Sequence, residues 1–172
     1  MAHEPYTRTN QKLFFAGLCL ENWRKAEEER AMNAQAQVQA EREAALFHLH
    51  GALLGLCHEI THYYRMPNPG APDVEAILSS EVLSASPSPE LAELVELFQQ
   101  PESWLGSLER AYQALFLPPQ APAKAKVDPT LPLIEAVVLD EAEAPLPREE
   151  LESWRQQLKA LVLRYRESLS EC

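Results

Sequence analysis

His58, Glu59 and His62 stand in H-E-x-x-H order. In zinc hydrolysis this order places two imidazoles one turn apart on a helix with a carboxylate beside them. Both histidines bind Zn²⁺, and the glutamate takes a proton from the metal-bound water as general base. A working centre also needs a third protein ligand and an open coordination position. Glu81, nineteen residues after His62, has the spacing of a third ligand carried on a following helix, and Glu75 is a second acid in the same region. Acids are dense there, so five residues and a permissive spacing carry little specificity.

Two further constellations invite chemistry. Arg42 and His48 form R-x5-H, a spacing used by helical-bundle ribonucleases of the toxin type. Phosphate binding needs clustered Lys and Arg, whereas this chain has 15 Lys and Arg against 26 Asp and Glu and a net charge of −11. Residues 1–66 carry seven basic and eight acidic side chains, 67–147 three and thirteen, and 148–172 five and five. An acidic middle with balanced ends argues against a nucleic-acid partner. Cys19, Cys57 and Cys172 include no C-x-x-C pair, so they read as reduced thiols, with Cys57 a small buried residue instead of a nucleophile. Neither a P-loop, a G-x-G-x-x-G nor a nucleophile elbow is present.

These residues must be positioned by helices. From Asn10 to Arg65 there is no proline, and helical spacing of apolar residues persists. That length is too great for one helix of a compact domain, and Glu27, Glu28, Glu29 and Arg30 interrupt the apolar face. The spacing predicts a break near Met32 and Asn33 and two helices folding back as an antiparallel hairpin. In the second, Leu46, Leu49, Leu53, Leu56, Ile60 and Tyr63 form a 3-4-3-4-3 seam, widened by Phe47, Leu54, Cys57 and Tyr64. A seam this wide predicts a central helix with several neighbours. His58 and His62 fall away from the seam, on a strip shared with His48, Gly51, Gly55 and Arg65. Gly51 and Gly55, four apart, are able to admit a closely packed helix; the competing structural reading is a solvated face.

Prolines punctuate the rest. Asp73 is expected to cap a short helix to about Leu83, and Ser88-Pro89-Glu90 to open the next. Pro101 should kink or restart that helix before the face Trp104, Leu105, Leu108, Tyr112, Leu115 and Phe116. The Pro-rich connection 117–147 contains one β-branched run, 134–139, without a strand to pair with. Leu151, Trp154, Leu158, Leu161, Val162 and Tyr165 predict a last amphipathic helix over 148–168. No segment has the length and apolarity of a membrane span or the order of a signal peptide.

The stretches Tyr6-Thr-Arg-Thr-Asn-Gln-Lys-Leu13 and Gln39-Ala-Glu-Arg-Glu-Ala-Ala-Leu-Phe-His48, continuing through Leu53-Leu-Gly-Leu-Cys-His-Glu59, resemble a family of small uncharacterised helical proteins from Pseudomonas and related gammaproteobacteria. The resemblance covers mainly residues 1–65 and implies a bacterial cytoplasmic setting. The family carries no activity from which functional residues transfer. The expected fold is a single all-α domain over 1–172, a helical bundle of five or six helices around a long central antiparallel hairpin. The expected function is a non-catalytic cytoplasmic binding or interaction protein, acting on a protein partner or by self-association, a homodimer included, with the C-terminal helix and the Pro-rich connection as its expected contact surfaces and without nucleic acid, membrane or cofactor. The alternative is a metal-binding or zinc-dependent hydrolytic protein with His58, His62 and Glu81 as ligands and Glu59 as the base.

Overall fold

The proline-free stretch folds as two long helices, α1 (Glu4–Glu29) and α2 (Ala34–Tyr63). In this computed structural model residues 4–118 and 145–170 are described. Helix α1 starts earlier than the apolar spacing predicts, because Pro5 sits in its first turn, where no helical N–H is needed. It ends at Arg30, whose φ of 48° is left-handed. Contacts then pair Trp23 with Arg42, Phe15 with His48, and Thr9 with Gly55. As one number rises the other falls, so α1 and α2 run in opposite directions.

The glycines set how closely the two approach. A Cβ at Gly55 would lie 2.6 Å from Thr9 Oγ1 and 3.2 Å from Thr9 Cα, and a backbone atom cannot rotate away. The Gly51–Gly55 part of the strip is therefore covered by α1, with Thr9 and Gly55 both buried, while His62 and Arg65 at its end are exposed. Gly55→Val should cost about 1–3 kcal/mol by overpacking, read from the denaturant midpoint. Wild-type stability in that variant would show that α1 does not pack there.

Helix α2 ends in a Schellman motif. The Met66 amide bonds the Thr61 carbonyl at 2.9 Å and the Arg65 amide the His62 carbonyl at 3.2 Å, with Arg65 in the left-handed position (φ 50°) that glycine usually takes. Buried Met66 closes this end beside Ile60.

After this turn the observed helices are α3 (Ser80–Ala85), α4 (Pro89–Gln99), α5 (Trp104–Ala114) and α6 (Arg148–Ser170). The predicted helix from Asp73 is not formed. Val74, Ile77 and Leu78 are buried, and the amides of Ile77 and Leu78 both bond the Val74 carbonyl in a tight turn. That turn pins three apolar side chains to the core, and the helix starts instead where Ser79 Oγ caps the Val82 amide at 3.2 Å. Ser88 caps Leu91 and Ser103 caps Gly106 in the same way. Pro101 lies between α4 and α5, so the chain restarts instead of kinking. The run 134–139 lies outside the described residues, among which there is no strand.

Helix α2 packs against α1, α4, α5 and α6, as its wide seam requires. Leu49, Leu53, Leu56 and Ile60 are fully buried, and α6 delivers Leu151, Trp154, Leu158 and Val162 to the same core. No helix of the described residues is long and apolar enough to cross a membrane.

Candidate functional site

The H-E-x-x-H residues are divided among three environments. Glu59 is 2% exposed, and the Arg166 guanidinium of α6 grips its carboxylate twice, from Nε at 3.0 Å and NH2 at 2.7 Å. The same guanidinium donates to Asn10 Oδ1 and lies 4.6 Å from the Tyr6 ring centroid. This buried pair ties α1, α2 and α6 together. His58 Nε2 is 2.7 Å from the Ala71 carbonyl. A carbonyl only accepts, so the proton sits on Nε2 and that nitrogen is not free as a ligand. His62 is exposed in the last turn of α2, and Glu81 is exposed in the first turn of α3. Glu75 accepts from Gln113 Nε2 at 3.2 Å. Among the described residues no three His, Cys, Asp or Glu side chains converge to hold an ion.

The other sequence candidates are also structural in their contacts. Arg42 lies 4.6 Å from the Trp23 ring centroid and donates to the Leu146 carbonyl at 3.0 Å, while His48 packs edge-on to Phe15 and Phe47. Burial, then the Lys12 charge, lower the His48 pKa. Burial pushes the Cys57 thiol up to about 12. Cys19 rises to about 11 through burial and the nearby Glu41, so neither thiol supplies a thiolate near neutrality.

A different set of residues converges where α1, α2, α5 and the 71–75 turn meet, around a cleft of about 490 Å³. Arg8 and Lys12 form its α1 wall. His50 and Leu54, four apart on α2, form the floor, with His58 one turn further on. The His50 ring stacks on Tyr112 at 3.6 Å with planes 5° apart, and its Nε2 donates to Glu109 at 3.0 Å. Burial alone would raise the Glu109 carboxyl, but the bonds from His50 and Gln113 outweigh it and hold the pKa below the usual value. Through Gln113 the network continues to Glu75 at the rim, near Asp73. The stack and the hydrogen bond hold the His50 ring in place as part of the cleft wall. A sequence signal that could have pointed to the cleft is the i, i+4, i+8 series His50, Leu54 and His58, which the seam reading did not single out. Arg8, Lys12 and Tyr112 lie on other elements and had no such signal.

Exposed apolar residues lie on α1 and α2, and one of them, Phe47, also lines the cleft. Phe14, Leu18 and Phe47 are 61%, 46% and 50% exposed. Phe14, Phe15, His48 and Phe47 follow one another ring to ring across α1 and α2, with Lys12 Nζ 4.7 Å from the Phe47 centroid.

An all-α bundle with an interhelical cleft and an aromatic surface ribbon is the class of protein these features define. The chain belongs to a family of unknown function, DUF6586, whose model matches residues 1–172. The match spans the whole chain, beyond the 1–65 region that carried the sequence resemblance. No curated protein and no solved structure matches it.

Proposed function

We propose that this protein is a non-catalytic binding protein that acts as a homodimer in the bacterial cytoplasm, with α1 as its contact face. The observation that carries this reading is the exposure of Phe14 and Leu18 one turn apart on a long helix. Thr7, Gln11, Phe14, Leu18, Glu21 and Lys25 form one exposed stripe spaced alternately four and three, the spacing of a helix-pairing seam. A two-fold axis midway between Phe14 and Leu18 sets each against the other residue of the second copy. The same axis sets Gln11 against Glu21, so one patch is complementary to itself.

The engagement of the Glu59 carboxylate by Arg166 supports a structural role for the H-E-x-x-H segment. Light scattering and sedimentation test the dimer: the expected result is a dimer converted to a folded monomer by Phe14→Glu or Leu18→Glu. Wild-type protein that stays monomeric at about 0.1 mM, well above the dissociation constants of specific dimers, would overturn the proposal. Zinc content of untagged protein tests the alternative. A stoichiometric ion lost in both His58→Ala and His62→Ala would replace the non-catalytic reading with a metal centre and direct the next assay to hydrolysis.

A further inference from the structure

Arg8 and Lys12 stand one turn apart on α1 and both line the cleft. Neither forms an ion pair with a described carboxylate, although acids outnumber bases 26 to 15 in the chain. Arg24, Arg148, Arg155, Arg164 and Arg166 are matched with described carboxylates; Lys25, Arg30, Arg42, Arg65, Arg110 and Lys159 are not, but none of these lines the cleft. Lys12 is also held in place. A Cβ at Gly51 would come within 3.0 Å of Lys12 Cδ, so the absent side chain makes the room in which the lysine stem lies against α2. Burial, then the Arg8 charge, lower the Lys12 pKa. Two like charges thus stand together with no described carboxylate in ion-pair range, and an anion there relieves their repulsion.

The rest of the cleft narrows the class of ligand. Half-exposed Phe47 lies under Lys12, and Leu54 and the Tyr112 ring add apolar and aromatic wall. The volume of about 490 Å³ suits a small organic molecule. Asp73 and Glu75 line the same cleft and lie near Tyr112, where they repel a second negative charge, so the site favours one anionic group, held at Arg8 and Lys12. We infer that the cleft binds a small aromatic monoanion, an aryl carboxylate or sulfonate whose charged group meets Arg8 and Lys12 while its ring lies against Phe47 and Leu54. Phe14 and Leu18 do not line the cleft, so loss of the dimer, read in Phe14→Glu, and loss of the ligand, read in Lys12→Met, are told apart by separate variants.

Calorimetric titration with 2-naphthoate, 2-naphthalenemethanol and 2-naphthylmethylammonium tests this, since the three share a ring system and differ in charge. The naphthoate should bind, and the alcohol should bind roughly tenfold more weakly, with the anion's advantage shrinking as salt is raised. Lys12→Met keeps the stem that packs on Gly51, and Arg8→Gln alters an exposed residue. Each should weaken naphthoate about five- to tenfold and leave the alcohol unchanged, the magnitude of one partly shielded charge contact. The fold of each variant is checked by far-UV circular dichroism. No naphthoate binding at about 5 mM, a concentration that detects even millimolar affinity, would overturn the inference. So would equal or tighter binding of the ammonium, or an unchanged naphthoate affinity in Lys12→Met.

Discussion

Arg166→Ala should destabilise the protein by about 3–5 kcal/mol, because it leaves the Glu59 carboxylate buried without its counter-charge. The Glu59 side chain is 1% exposed and that of Arg166 20%, so solvent cannot replace the lost guanidinium at both oxygens. For a chain of this size the loss lowers the melting temperature on the order of 10 °C. The double variant Glu59→Leu with Arg166→Met should recover most of it, since apolar side chains of similar volume often replace a buried pair without loss. The comparison separates desolvated charge from lost packing. A cost below about 1 kcal/mol, the range of exposed ion pairs, would show that water reaches Glu59. That result would return Glu59 to the catalytic reading, because a general base must be accessible to the water it activates.

Trp23→Ala is expected to cost about 3–5 kcal/mol, the range for a large aromatic removed from a packed core. Trp23 is 1% exposed and joins three parts of the chain. Its Nε1 donates to Glu27 at 2.7 Å, the Arg42 guanidinium covers its ring, and Arg42 reaches on to the Leu146 carbonyl ahead of α6. Thermal unfolding of Trp23→Ala, Arg42→Ala and the double variant should show coupling of about 0.5–1 kcal/mol for the cation on the ring. Additive single effects would mean that Arg42 does not depend on the indole, and would reopen a separate role for it beside His48. Trp23→Phe should recover much of the loss, because most of the ring's apolar area remains.

Much of the helical framework was legible in the chain because it depends on neighbours close in sequence. The wide apolar seam of α2 announced a central helix, Ser88 before Pro89 marked a helix start, and the periodicity of α6 located its buried face. Asp73 failed as a cap for a tertiary reason: Val74, Ile77 and Leu78 gain more by entering the core in a turn than by starting a helix on one face. The H-E-x-x-H spacing correctly put two histidines one turn apart on α2, but spacing along one helix is silent about what that helix meets. Glu59 meets Arg166, 107 residues away, and His58 meets Ala71 across the following turn. The cleft draws on α1, α2 and α5 together, so the pairings between its walls are not local. By itself the sequence determined where helices form and which faces are apolar, since propensity, capping and periodicity act within a few residues. Only the tertiary structure decided which polar groups are gripped and which stand free, because burial and ion pairing depend on surfaces that come together after the helices have formed.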